Sequence, residues 1–152
     1  PIDAFGVGTQ MGISGDVPSL DMAYKLVRYG DRPVMKLSSS KQSLPNEKQV
    51  FRFYGIDGGM VRDVVSMKNE DYSSEMVEPM LQTVMENGKT IKARESLIEI
   101  RGRFESDFSK LPTIYKVLRN APRYPVSISP ELLRSYGNTR KSILNTFEPH
   151  SN

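Results

Sequence analysis

Apolar positions along the chain change their period once, near residue 95, and the change separates a strand-rich half from a helical one. Ahead of it the pattern alternates. Residues 23–29 and 32–38 read as strands on either side of Gly30-Asp31, a Gly-X pair suited to a two-residue hairpin turn. Residues 38–46 are polar with a late Pro45, which predicts a loop. The stretch 49–54 puts Phe51 and Phe53 on one face, and 56–59 turns the chain into a partner strand, 60–67. After a polar connector at 68–75, the segments 80–85 and 89–92 form a third pair across Asn87-Gly88, a strong short hairpin signal.

Beyond the change the period is helical. Leu97, Ile100, Phe104, Phe108 and Leu111 step by three, four, four and three, the stripe of an amphipathic helix that Pro112 ends. The stripe is expected to be a buried seam with no cofactor, facing the strand-rich half or the remainder of a barrel. Residues 119–125 are a turn-rich break and 126–129 a short strand. Ser129-Pro130-Glu131 then reads as a helix start: a capping hydroxyl, Pro at the first position, an acid in the first turn. Leu132, Leu133, Tyr136 and Ile143 are the inward candidates of this second helix.

Composition narrows the class. With 152 residues, 38% hydrophobic and 26% charged, the chain is a globular sequence with enough length for one ordinary core. No apolar run approaches the roughly 18–20 residues that span a bilayer. There is no Cys, so neither disulfides nor thiolate metal sites arise, which fits a reducing, cytoplasmic setting. A net charge of +3 from 21 basic and 18 acidic residues is a slight excess. It suits a phosphorylated metabolite as well as a nucleic acid.

The candidate chemistry sits at the start. Residues 2–5 read as a buried strand, and Gly6, Val7, Gly8 and Thr9 as its exit loop. Glycines there permit positive φ and close approach to a ligand. Successive N–H groups, with the Thr9 hydroxyl, would cradle a dianionic phosphate. Alone, Gly-X-Gly-Thr is more often simply a turn. It carries neither the third glycine of a dinucleotide fingerprint nor the Gly-Lys-Ser/Thr of a P-loop. Asp3 and Asp16 flank the loop; they could orient a ribose hydroxyl or a Mg²⁺-bound water, or, as such acids more often do, cap local backbone. Lys36, Lys41 and Lys48 group around one hairpin and are by default a solvated basic face. His150 is the only histidine and lies in a polar tail with no nearby partner. The methionines at 76, 80 and 85 are spaced for packing.

Taken together these pieces resemble a known family. The runs 2–9, 14–20, 24–27, 32–38, Lys41, Leu44-Pro45 and 48–52 are similar, in the same order, to the C-terminal third of nicotinate phosphoribosyltransferase. Residues 86–89 and 118–125 extend the resemblance over most of the chain. It implies a mixed α/β and α+β architecture: the terminal strand and loop of an irregular TIM-like barrel at 1–22, a β-rich sandwich portion at 23–94, and a helical region at 95–152. It implies an ATP-coupled, ligase-class glycosyl transfer that makes nicotinate mononucleotide from nicotinate and phosphoribosyl pyrophosphate in NAD salvage. Mg²⁺ and ATP are the implied cofactors, with ligands mostly outside this chain, and a homodimer is the implied assembly.

On that reading Gly6, Val7, Gly8 and Thr9 hold the nucleotide's 5′-phosphate, in keeping with phosphate sites in late barrel loops. The phosphoacceptor histidine, pyrophosphate-binding acids and base-contacting arginine would lie before Pro1, in a missing barrel portion or a companion chain. No catalytic residue and no metal ligand is then expected here, and the chain alone is expected to be inactive. Asp21, Ser40 and Asn46 stand where the family tends to carry glycine. Two other classes fit less well: a non-catalytic interaction or structural piece, and a small basic nucleic-acid-binding module using the aromatic and basic residues of 50–54.

Overall fold

The computed structural model describes residues 3, 4, 6, 8, 11–15, 23–73 and 76–147. Its centre is a hairpin of two long strands, β3 (Lys48–Tyr54) and β4 (Met60–Met67), reached through the short hairpin β1 (Arg28–Tyr29) and β2 (Arg32–Pro33). β5 (Val77–Pro79) follows, then a second short hairpin, β6 (Met85–Glu86) and β7 (Lys89–Thr90). The chain continues through helix α1 (Leu97–Lys110), a 3-10 turn (Thr113–Tyr115), β8 (Val126–Ile128) and helix α2 (Pro130–Phe147). The main sheet has the order β5-β3-β4-β8, with β8 parallel to β4 and the other pairs antiparallel.

Each hairpin turns where its residues tolerate positive φ. Gly30 (φ 58), Gly58 (φ 75), Asn87 (φ 49) and Gly88 (φ 76) occupy the three turns. The β3–β4 register sets Phe51 opposite Val64 and Arg52 opposite Asp63, with an irregularity between Phe53 and Tyr54 where the strand nears the turn. The outer hairpins are shorter than alternation predicts. Beyond its two-residue strands each continues by one bond, from Val34 N–H to Val27 O (3.0 Å) and from Ile91 N–H to Val84 O (3.0 Å). β5 was not foreseen: its period is too short to register, and it forms because β3 offers a free edge.

Both helices begin as their sequences dictate. Ser96 accepts from Glu99 N–H (3.3 Å) while Glu99 accepts from Ser96 N–H (2.7 Å), a complete capping box. Those bonds hold the Glu99 carboxyl below the usual range. Ser129 caps α2 by accepting from Leu132 N–H (3.1 Å), and its own hydroxyl donates to Glu70 (2.6 Å). α2 lies on β4, and Leu132, Val64, Met60 and Pro45 are the buried apolar side chains among the described residues.

Two expectations change. The α1 stripe does not face the sheet: no residue of α1 is buried, and Phe104 is 63% exposed. The strand expected at 2–5 is not one where it is described, since Asp3 and Ala4 are irregular and exposed; Ile2 and Phe5 lie outside the described residues. Among the described residues, 23–94 supply two small hairpins and three strands of a single four-stranded sheet, whose fourth strand, β8, comes from the region expected to be helical.

Candidate phosphate-binding site

Of the loop residues proposed to meet phosphate, Gly6 and Gly8 are described and exposed, whereas Val7 and Thr9 lie outside the described residues. A turn closes behind them, with Met11 N–H donating to Gly8 O at 3.1 Å. A Cβ built on Gly6 or Gly8 meets no atom of the described residues within 4 Å, so among these residues nothing closes the side on which a ligand would approach. Asp3 is exposed beside this loop, and Asp16 lies outside the described residues, as does His150.

The lysines that sequence grouped together differ in their surroundings. Lys36 is exposed, and its backbone N–H donates to Ser43 Oγ (3.0 Å). Lys41 is exposed too. Lys48 turns inward, its ammonium donating to Leu44 O (2.9 Å) and Asn46 O (2.6 Å), with Pro45 O at 3.4 Å. Burial pushes its pKa below the ordinary lysine value. Lys48 therefore fixes a loop instead of offering a charge to an anion. Asn46, which stands where the resembled family tends to carry glycine, takes φ 63, a conformation that asparagine tolerates well. Its side chain donates to Ser135 Oγ on α2 (2.7 Å) and its N–H to Val27 O (2.8 Å).

The described residues also hold a polar cluster that periodicity did not flag. Arg52 grips Asp63 through two bonds, Nε to Oδ1 (3.0 Å) and Nη2 to Oδ2 (2.9 Å), and Tyr124 OH reaches Oδ1 at 3.4 Å. The paired carboxylate holds the Arg52 guanidinium firmly charged. Burial first, and the Asp63 charge second, push the Tyr124 phenol up to about 12; Tyr54, desolvated and bonded to Glu78 (2.8 Å), is also pushed up to about 12. Opposite charges at facing positions of one hairpin were the available signal. This cluster clamps β3, β4 and the approach to β8 and leaves no group free to react.

Aromatic faces suited to stacking on bases are already taken. Tyr72 packs on both Phe51 (4.8 Å between ring centroids) and Phe53 (5.8 Å), and Arg62 covers the Phe53 ring at 4.2 Å. Among the described residues no group of His, Asp or Glu could hold a metal ion, and no helix is long and apolar enough to cross a membrane.

Comparison with known proteins bears on this geometry. The model of the nicotinate phosphoribosyltransferase C-terminal domain matches residues 72–136, from the end of the connector into α2. A nicotinate phosphoribosyltransferase of Mycobacterium tuberculosis is 33% identical over 156 residues, which cover 100% of this chain and 32% of that protein. The chain is homologous to the C-terminal portion of nicotinate phosphoribosyltransferase. The mouse enzyme of that name is 29% identical over 153 residues, covering 86% of this chain and 28% of its own length. The crystal structure of human nicotinic acid phosphoribosyltransferase superposes with a TM-score of 0.61 at 24% identity, over 82% of this chain and 26% of that one, a likeness of fold. The chain thus spans about a third of the length of the curated relatives it matches.

Proposed function

We propose that this chain serves as the C-terminal portion of a nicotinate phosphoribosyltransferase. That enzyme joins nicotinate to phosphoribosyl pyrophosphate, forming nicotinate mononucleotide with ATP hydrolysis, as a cytoplasmic homodimer in NAD salvage. The observation that supports the reading is that the whole chain matches about a third of the mycobacterial relative, the glycine loop as well as the residues of the C-terminal domain model. In the proposed division, 1–22 end the catalytic barrel, 23–94 form the β-rich portion, and 95–152 the helical region.

The chain's own part is to bind. Gly6, Val7, Gly8 and Thr9 would present backbone N–H groups and one hydroxyl to the 5′-phosphate, with Asp3 and Asp16 as accessory groups. The open side of Gly6 and Gly8 is what such an approach needs. Proton transfer and phosphoryl capture fall to residues beyond this chain, and with them the ligands of Mg²⁺ and ATP.

The test is Gly8→Val in the assembled enzyme. A Cβ at this position meets no atom of the described residues within 4 Å, so folding should be little affected. A side chain standing between backbone and phosphate removes one charge-assisted bond, about 1.5–3 kcal/mol, or roughly a 10- to 150-fold loss of nicotinate mononucleotide affinity. Unchanged affinity would place the phosphate elsewhere.

A further inference from the structure

Helix α1 is fully capped yet has no partner for its apolar face. Leu97 is 84% exposed, Phe104 63% and Phe108 44%, and the two rings stack on each other at 5.6 Å. The helix is tied to the rest of the chain near its C-terminal end, where the Lys110 ammonium sits 5.5 Å over the Tyr54 ring and Lys116 lies 5.0 Å over Phe108. A 14-residue helix is marginal in water and ordinarily owes its stability to packing on that apolar face.

The whole surface points the same way. It measures 13163 Å², against about 7,800 Å² for a compact monomer of this mass. Counting the twenty residues outside the described set at their full unfolded surface still leaves an excess of about 2,000 Å². That is the scale of an obligate interface.

We propose that the α1 face, anchored by Ile100, Phe104 and Phe108, is the docking surface for the polypeptide that makes up the other two thirds of a nicotinate phosphoribosyltransferase. The proposal rests on the functional reading above. Three observations select this occupant. The relatives carry about twice as much chain again beyond the part that matches, ample to cover the excess. The flanks of the stripe mix signs (Arg101, Arg103, Glu105, Asp107), which does not suit a nucleic acid or an anionic membrane. A second copy paired through α1 alone would gain too little. Two partly exposed phenylalanines and their aliphatic neighbours supply about 400 Å² per copy, half of the roughly 800 Å² per partner of a stable interface. A surrounding polypeptide can also reach the exposed Ile114, Val117 and Leu118 next along the chain.

The experiment joins this chain, in one polypeptide, to the part of the mycobacterial relative that precedes its matching third. Hydrogen exchange of the α1 amides is compared between the free chain and this chimera. We expect α1 to exchange at least about 100-fold more slowly in the chimera. Phe104→Glu with Phe108→Glu should return it to the free-chain rate. Tyr24→Glu, at a fully exposed position ahead of the first hairpin, should not. Both Glu substitutions fall on solvent-facing positions of the free chain, so its own fold tolerates them. Equal exchange in chain and chimera, or protection that survives the double substitution, overturns the proposal. Concentration-dependent protection of α1 in the free chain also overturns it, by making a second copy the occupant. A chimera that protects α1 but fails to bind nicotinate mononucleotide sinks the phosphate-cradle reading and leaves the docking surface standing.

Discussion

Asp63→Asn tests whether the Arg52 clasp holds the sheet. The substitution is nearly isosteric, so packing changes little, but it removes the charge that faces a guanidinium with only 20% of its side chain exposed. One of the two bonds from Arg52 must also go, because an amide nitrogen cannot accept. Removing one partner of a fully buried pair costs about 3–5 kcal/mol. Residual exposure of both side chains lowers this, and we expect about 2–3 kcal/mol. The readout is native-state hydrogen exchange of the β3 and β4 amides, which reports local opening without requiring two-state unfolding of the whole chain. The expected acceleration is about 30- to 150-fold. Asp31→Asn, which breaks the exposed pair with Arg28, should leave those amides unmoved. Asp63→Asn with unchanged exchange would mean that backbone pairing alone holds the sheet and that the clasp is incidental.

Ser129→Ala should cost about 1–2 kcal/mol by removing the α2 cap, and Ser129→Asp should be worse despite aspartate's capping preference, because Glu70 already sits 2.6 Å away; thermal melts of the two variants decide it. Tyr54 and Tyr124, whose phenols titrate at about 12 in the fold and near 10 when unfolded, contribute stability that is intact below pH 10 and lost between pH 10 and 12. A spectrophotometric titration with two late-ionising phenols and alkaline unfolding in that window would agree, and titration of every tyrosine near 10 would not. This chain by itself should release no pyrophosphate from phosphoribosyl pyrophosphate, and measurable release by a preparation holding only this chain would reject the division of labour proposed above.

How much of this was legible beforehand varies with the range of the interactions involved. The three turns were readable because Gly30, Gly58 and Asn87-Gly88 each solve a local steric problem. The start of α2 was readable for the same reason, from Ser129-Pro130-Glu131, whereas α1 was read from its period alone and the Ser96–Glu99 capping box was not. What α1 packs on was not readable, since a period of 3.6 reports that a face is apolar and not what covers it. β5 and the parallel pairing of β8 with β4 were equally hidden, because both depend on edges that exist only once β3 and β4 have paired. Of the candidate site, the glycine loop was identified from Gly6 and Gly8, but Lys48 was grouped with Lys36 and Lys41 as a surface charge. Its three carbonyl acceptors follow from the fold of the 44–46 loop, which no pattern of residue types specifies.

The distribution of polar and apolar contacts explains how so thin an apolar core can specify a fold. Met60, Val64, Leu132 and Pro45 are the buried apolar side chains among the described residues, so burial by itself would leave the register of the sheet loosely set. Directional bonds supply what volume does not. Arg52–Asp63 fixes β3 against β4, and Glu70, accepting from Met67 N–H (2.7 Å), Ser129 Oγ and Tyr72 OH (3.1 Å), fixes the end of β4 against the start of α2. Asn46 joins the preceding loop to α2 through Ser135, and Lys48 closes that loop on itself. Among the described residues no buried side-chain polar atom lacks a partner, as such a network requires to be stabilising. A unit ordered in this way can keep its geometry while its remaining apolar side chains point outward. Those of α1 are then available as a preformed surface, and their burial adds to the stability of an assembly without having been needed to shape the sheet.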